Sequence, residues 1–380
     1  MPGQATPVIA GAGISKVGRR IGIAALELTA QASRRAMADA GIGPRDVDAV
    51  LTLGDVPASE AAAALGITPK LVDTTRVLDT GLFSPITQAY EAIAAGAARH
   101  ILVYRTVQMM GGTVGTDAGP TSAVEHEIPS EMRYLIAAHA YSAANWIAMN
   151  CRSHMDLYGT TKEQLGWVAI SARAYGSRNP LAVFRAPFTM DEYLTARAVS
   201  SPFGLLDCDV PVDGSIALIM SAGDYQSDCP HAAVTIESIG GASGSGGWTQ
   251  RRDYPRMAAS DAAAQMWAQT DLGPDDVDIA ELYDGFTFLT IAWLEALGFC
   301  GEGEGGLFVD GGHRISPDGQ LPTNTYGGQL SAGRLHGYWV LYEACQQLRG
   351  RAEAPLAIRP EVAVASAGGG PIAGCVLLTC

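Results

Sequence analysis

Two periods of hydrophobic and polar residues alternate along this chain. Short apolar runs rich in Val, Ile and Leu are separated by Ala-rich stretches whose apolar residues recur at helical spacing. In the first half this pattern predicts strand at 7–11, helix at 22–40, strand at 47–53, strand at 75–79, helix at 84–97 and strand at 100–106. In the second half it predicts strand at 233–239, helix at 258–270, strand at 277–283 and helix at 286–297. A Gly-rich loop follows, then helix at 335–348 and strands at 361–366 and 372–379. Strands alternating with helices imply mostly parallel sheets covered by helices, an α/β arrangement.

The pattern is also duplicated. Residues 41–50 read GIGPRDVDAV and residues 271–280 read DLGPDDVDIA. Each segment follows an Ala-rich helical stretch and leads into an apolar strand. A second echo pairs Ala89-Tyr-Glu-Ala-Ile-Ala-Ala-Gly96 with Leu341-Tyr-Glu-Ala-Cys-Gln-Gln-Leu-Arg-Gly350. Two echoes in the same order point to a repeated α/β half, which divides the chain at 1–225 and 226–380. Residues 107–205 interrupt the first half with a Gly-rich loop (Gly111 to Gly119) and helical stretches at 132–150 and 162–177. They read as an inserted cap of the kind that builds a substrate mouth.

Composition narrows the class. The 380 residues are 48% hydrophobic and 17% charged, as expected of a well-packed globular protein. A net charge of −14 argues against nucleic acid or an anionic membrane as the main partner. The seven cysteines are scattered, with neither C-x-x-C spacing nor a zinc pattern, so they read as reduced and mostly buried in a cytoplasmic protein with no bound metal. The start MPGQATPVIAGAG has no signal-peptide pattern, and no apolar run reaches the ~18 residues of a membrane span.

Several segments, taken in order, carry a resemblance. They include Tyr158-Gly-Thr-Thr-Lys-Glu-Gln-Leu, Pro202-Phe-Gly-Leu-Leu-Asp-Cys-Asp, Val212-Asp-Gly-Ser-Ile-Ala, Glu281-Leu-Tyr-Asp-Gly-Phe-Thr, Asn324-Thr-Tyr-Gly-Gly and Gln347-Leu-Arg-Gly. The series resembles the thiolase superfamily, most of all its sterol-carrier-protein-type and lipid-transfer-protein branch. The resemblance implies duplicated α/β/α layers, two related mixed-sheet halves with an inserted cap. Three positions depart from thiolases. Arg76-Val-Leu-Asp-Thr-Gly-Leu82 is similar to the nucleophile elbow V-x-C-x-S-G-L, with Leu78 at the cysteine. Gly327-Gly-Gln-Leu-Ser-Ala-Gly-Arg-Leu-His-Gly337 is similar to G-G-x-x-S-x-G-H-P-x-G, with Arg334 at the histidine. Ser366-Ala-Gly-Gly-Gly370 is similar to C-x-G-G-G, with Ser366 at the second cysteine. Without a thiolate the usual acyl-enzyme cannot form.

Members of this branch that lack the cysteine include steroid side-chain aldolases, which split a β-hydroxyacyl-CoA by retro-aldol cleavage. They carry tyrosine where other members of the branch have histidine, and Tyr283 stands there. They also use a second tyrosine near the G-G-x-L-S loop. Here that place falls to Arg334, with Tyr326 and Tyr338 on either side. The resemblance therefore implies a carbon–carbon lyase acting on a CoA thioester with a bulky, steroid-like side chain and needing no cofactor. It also implies a homodimer, or a heterotetramer with a small OB-fold, zinc-ribbon partner. A condensing or acyl-transfer enzyme and a non-catalytic thiolase-like subunit are the alternatives.

A retro-aldol cleavage needs a group to take the β-hydroxyl proton, donors for the enolate oxygen and an acid for the α-carbon. Tyr283 is the candidate proton carrier. A free tyrosine has a pKa of about 10, so it needs a cation to stabilise its phenolate. Arg334 can supply the charge or serve in a structural pair with Asp284 or another acid. His336 titrates near neutrality and could relay the proton. The Gly368–Gly370 turn offers backbone N–H groups as an oxyanion site, with Gly368 and Gly369 as donors. Asn324 either fixes the loop or touches the thioester, and Ser366 is a further substrate-side candidate. The remaining histidines read as surface or packing residues, and Cys300 and Cys375 as buried thiols.

Overall fold

The computed structural model describes residues 6–75, 81–110, 130–243 and 247–380. Its strands are β1 (Val8–Ile14), β2 (Ala49–Leu53), β3 (Leu71–Thr75), β4 (His100–Gln108), β5 (Ala198–Ser200), β6 (Phe203–Gly204), β7 (Asp213–Ser221), β8 (Val234–Ser243), β9 (Ile279–Glu281), β10 (Val362–Gly368) and β11 (Ile372–Thr379). Its helices are α1 (Ala25–Ala40), α2 (Ala58–Leu65), α3 (Ser84–Ala94), α4 (Ser130–Ala137), α5 (Ala143–Tyr158), α6 (Lys162–Arg178), α7 (Met190–Leu194), α8 (Ala258–Trp267), α9 (Thr287–Ala296), α10 (Gly305–Val309), α11 (Gly328–Ser331) and α12 (Tyr338–Leu348).

Nine strands form one sheet in the order β3-β2-β4-β7-β1-β8-β11-β10-β9. The duplication is visible in the pairing. In the first half β2 is parallel to β4, β4 antiparallel to β7, and β7 antiparallel to β1. In the second half β9 is parallel to β10, β10 antiparallel to β11, and β11 antiparallel to β8. The two sets meet where Val8 and Ile9 pair with Thr235 and Val234. The sheet is thus mixed, not mostly parallel as strand–helix alternation alone suggests. The repeated sequence folds alike in both halves: Asp46 accepts the Gly43 N–H and Asp276 accepts the Gly273 N–H, each at 2.8 Å.

Both faces of the sheet are covered, which explains why the central strands read as continuous apolar runs. Alternate residues of β4 serve the two layers. Leu102 and Tyr104 join Ala36, Met37 and Ala61 of α1 and α2, while Ile101 and Val103 join Ile86, Leu341 and Ala344 of α3 and α12. Helix α1 lies so close that a Cβ on Gly11 would stand 2.2 Å from the Ala36 carbonyl oxygen. Its counterpart α8 approaches Gly240 in the same manner, at 1.9 Å from the Ala262 carbonyl oxygen.

Some sequence expectations change. The helix expected at 132–150 is two helices, broken where His139 adopts φ 60° and Ser142 caps the second. Helix α2 and the fully buried strand β7 were not anticipated. β7 is a short apolar run, which periodicity does not separate from a buried helix segment. Most of the strand expected at 75–79, including Leu78, and the Gly111–Gly119 loop lie outside the described residues. No helix among the described residues is long and apolar enough to cross a membrane.

The cap is tied to the helix that follows Tyr283. Buried Asp207 accepts from Thr287 Oγ1 at 2.7 Å and from the Gly204 N–H at 2.6 Å. It also bonds Lys162, at the start of α6, and the Tyr193 hydroxyl. One carboxylate thereby joins α6, α7 and the N-terminal turn of α9.

Candidate active site

Three segments converge at the C-terminal end of β9. The first is the turn Leu282–Phe286, which carries Tyr283 between β9 and α9. The Tyr283 N–H donates to Ser366 Oγ at 3.1 Å, anchoring the turn to β10. Its ring packs where no side chains intervene: a Cβ on Gly285 would come within 2.8 Å of it and one on Gly337 within 3.4 Å. The second segment is the loop from Asn324 to His336. Asp284 holds its start by accepting the Gln329 N–H at 2.8 Å and the Leu330 N–H at 3.4 Å. The third is Asp209–Val212, joined to that loop by Val210 N–H to the Gln329 carbonyl and Arg334 N–H to the Val210 carbonyl, both 2.9 Å.

Around Tyr283 stand Arg334, Asp209 and Asp284, which these segments carry, and Arg105 from β4. Arg334 stands close enough to Tyr283 for its charge to act on the phenol. Its Nε is 3.2 Å from Asp209 Oδ2, an ion pair by distance without an aligned hydrogen bond. So the acid paired with Arg334 is Asp209, while Asp284 is engaged by the loop backbone. An Arg334 Nη2 contacts His336 Nε2. On the other side of the ring, Arg105 Nη2 lies 2.9 Å from His336 Nδ1. Arg105 comes from β4, its Nη1 donates to the Leu53 carbonyl, and it pairs with Asp55 at 3.6 Å.

Burial sets the protonation of this cluster. It raises the Tyr283 phenol above its ordinary value; Arg334 and Arg105 pull it back without reversing the direction. Tyr283 is therefore a neutral phenol at rest, and Arg334 reduces the cost of ionising it. Burial and the two flanking guanidinium groups hold His336 well below the usual imidazole range, so it is neutral and a weak base. Burial pushes Asp209 up to about 6, with Arg334 opposing. It pushes Asp284 up to about 7 against the two loop N–H groups.

The remaining sequence candidates divide. Asn324, at φ 55°, accepts the Leu282 N–H at 2.7 Å and fixes the loop against β9. Ser366 is fully buried and serves the Tyr283 backbone. Gly369 is not the free donor expected of an oxyanion site, because its N–H donates to the Ile372 carbonyl at 3.0 Å within the β10–β11 turn. Gly368 belongs to that turn, its carbonyl accepting Trp293 Nε1 at 2.9 Å. Tyr338 is buried beside Arg105, whereas Tyr326 stacks on Trp339 at 5.2 Å. Two other histidines are structural: His154 pairs with Glu295 at 2.9 Å, and His100 bonds Ser221 at 2.8 Å. Burial pushes the Cys300 thiol up to about 12 and raises Cys375 as well, so neither is a ready thiolate. No group of three or more His, Cys, Asp or Glu among the described residues is placed to hold a metal ion.

Sequence reading missed Arg105 and Asp209. Arg105 had a signal: it is a lone charge in the buried run ILVYRTV, where an unpaired arginine is rarely found. Asp209 had little, since Asp207 two residues earlier looks equivalent in sequence and turns out to be structural.

A family model described as "Thiolase C-terminal domain-like" matches residues 240–378, which include β9, the Tyr283 turn and the Arg334 loop. The 17-hydroxy-3-oxo-4-pregnene-20-carboxyl-CoA lyase of Mycobacterium tuberculosis is 31% identical over 396 residues, covering 99% of this chain and 100% of the relative. This chain belongs to the thiolase superfamily. A second thiolase-like relative, the steroid side-chain-cleaving aldolase of Thermomonospora curvata, is 32% identical over 393 residues, covering 99% of this chain and 98% of the relative. A solved structure, the Ltp2-ChsH2(DUF35) aldolase, superposes with a TM-score of 0.89 at 30% identity, covering 98% of this chain and 97% of that one. Ser366, which the sequence resemblance sets at the place of the second cysteine, is tied to the Tyr283 backbone.

Proposed function

We propose that this chain is a carbon–carbon lyase that cleaves a β-hydroxyacyl-CoA with a bulky, steroid-like side chain by a retro-aldol reaction, without an acyl-enzyme. The observation that carries this reading is Tyr283, a buried phenol that stays neutral although the Arg334 charge acts on it. The reaction moves one proton from the β-hydroxyl to the α-carbon. A neutral phenol suits that exchange. Its proton goes to the α-carbon as the carbon–carbon bond breaks, and its oxygen takes the β-hydroxyl proton. The electron pair of the breaking bond spreads into the thioester carbonyl, giving it enolate character, and then forms the new C–H bond at the α-carbon, while the β-carbon becomes a ketone. Nothing is oxidised or reduced. Arg334 stabilises whatever negative charge reaches the phenol oxygen.

The relatives support the substrate class. In the compound that names the Mycobacterium tuberculosis lyase, C20 bears the thioester carboxyl and C17 the hydroxyl, so the hydroxyl is β to the carbonyl. The solved aldolase carries a second component in its name. This chain is accordingly proposed to act on an acyl-CoA as a homodimer, or as a heterotetramer with a small partner subunit. Intact mass after incubation with propionyl-CoA and longer acyl-CoAs is expected to show no added acyl group. A stoichiometric adduct on any Cys or Ser would overturn the reading.

A further inference from the structure

The two guanidinium groups near Tyr283 do not stand alone. Asp55 lies 3.6 Å from Arg105 Nη1, and Asp209 Oδ2 lies 3.2 Å from Arg334 Nε. The two carboxylates are not equivalent. The Asp55 side chain is 43% exposed and screened by water, whereas that of Asp209 is 13% exposed and screened much less. Asp209 is also tied by its backbone to both segments that carry the site. Its N–H donates to the Gly285 carbonyl of the Tyr283 turn at 3.1 Å, and the next residue, Val210, bonds the backbones of Gln329 and Arg334. The carboxylate is thereby fixed beside the guanidinium. Burial raises the Tyr283 phenol, Arg334 lowers it, Asp209 and Asp284 raise it again, and Arg105 lowers it. Asp284 is engaged by two loop N–H groups, so the carboxylate in contact with Arg334 is Asp209. Burial pushes Asp209 up to about 6 against the pull of Arg334, and its charge is present above that pH. The other titratable groups around the cluster are Cys208, His336, Tyr326 and Tyr338.

We propose that Asp209 is a positioning residue for the cleavage: it holds the Arg334 guanidinium and offsets its charge, so that Tyr283 keeps the proton it must deliver to the α-carbon. A lone guanidinium beside a phenol favours the phenolate, which has no proton to give. A guanidinium with its own carboxylate draws less on the phenol at rest. It can still steady negative charge that reaches the phenol oxygen as the carbon–carbon bond breaks. Asp209 acts through Arg334, and its contribution is to set how readily Tyr283 parts with its proton. The inference rests on the lyase reading for the use made of that proton, not for where the proton sits.

The test reads the Tyr283 proton without substrate. The full chain, purified with any subunit that accompanies it, is titrated by near-ultraviolet phenolate absorbance, and the Tyr283 signal is the one that Tyr283→Phe removes. Asp209→Asn keeps the shape and the backbone bonds and removes the charge. It should move the Tyr283 titration down by ~1–3 pH units, the usual effect of one charge at close range. The basic limb of the cleavage profile should move down with it, with thioester affinity nearly unchanged. Asp209→Asn combined with Arg334→Met leaves neither buried charge uncompensated, and its titration should fall between those of the two single variants. The inference is overturned if folded Asp209→Asn keeps the wild-type titration and loses only thermal stability, or if the titration moves up. A downward shift in a protein that cleaves no β-hydroxyacyl-CoA would instead overturn the lyase reading and leave the hold on the Tyr283 proton standing.

Discussion

A phenol buried beside a guanidinium is pulled in opposite directions, and Tyr283 shows which pull wins. Burial outweighs Arg334, so the resting group is neutral. Tyr283→Phe removes one hydroxyl and leaves the ring to pack against Gly285 and Gly337. Cleavage should fall ~10²–10⁴-fold, the usual share of a general acid–base group, with acyl-CoA affinity nearly unchanged. Wild-type turnover by this variant would remove Tyr283 from the mechanism. Arg334→Met takes away a charge that lowers the Tyr283 value. Turnover should slow, and the basic limb of the pH–rate profile should move to higher pH. A profile that slows without moving would mean that Arg334 acts on substrate alone. Tyr283, Arg334 and His336 were legible in the sequence because they sit in motifs of known order. Arg105 was not, because 231 residues separate it from the histidine it touches.

Among the elements, the Asn324–His336 segment, which contains α11 and precedes α12, is held by few atoms. Gly328 has φ 61°, and a Cβ there would stand 1.9 Å from Asp284 Oδ2. Gly328→Ala therefore meets both a left-handed backbone penalty of ~1–2 kcal/mol and a clash with the carboxylate that pins the loop. It should lower the thermal midpoint and reduce cleavage more than thioester binding; an unchanged midpoint would show that Asp284 does not fix the loop. Behind the loop lies a buried carboxylate pair. Thr325 Oγ1 is 2.6 Å from Glu281 Oε1 and 2.9 Å from Glu343 Oε1. One hydroxyl proton cannot serve both, so one carboxyl keeps its own proton. Burial raises both groups, Glu343 to about 7. An unfolded glutamate titrates near ~4.3. The folded state therefore binds more protons above that pH, and the stability this gives is present below ~4.3 and lost as pH rises through about 7. Glu343→Gln should flatten the fall in denaturation midpoint between pH 5 and 8. Parallel curves for variant and wild type would contradict the assignment.

For the whole molecule, the duplication was legible because GIGPRDVDAV and DLGPDDVDIA encode one local solution twice: a helix end, an Asp-capped turn and a strand. The mixed sheet was less legible. Strand direction is set by β7 and β11, whose antiparallel pairing leaves no periodic trace. The join between the halves was hidden as well. Arg349, in the Gln347-Leu-Arg-Gly segment, donates to the carbonyls of Ile9 at 2.8 Å, Ala10 at 3.1 Å and Ala232 at 2.7 Å, and pairs with Asp39 at 2.7 Å. It stitches β1 to the segment before β8, a contact that sequence spacing cannot show. This scaffold fixes the Tyr283 turn, the Arg334 loop and β4 against one another, which is why a site without a thiolate can still be preorganised. The central claim is that this site breaks a carbon–carbon bond. Its most direct test is product analysis after incubation with 17-hydroxy-3-oxo-4-pregnene-20-carboxyl-CoA, the compound in the name of the Mycobacterium tuberculosis relative. The account predicts equimolar 17-ketosteroid and propionyl-CoA, with one solvent-exchangeable hydrogen delivered to C2. Free CoA with the carbon skeleton intact, or no product from protein that binds the thioester, would contradict it.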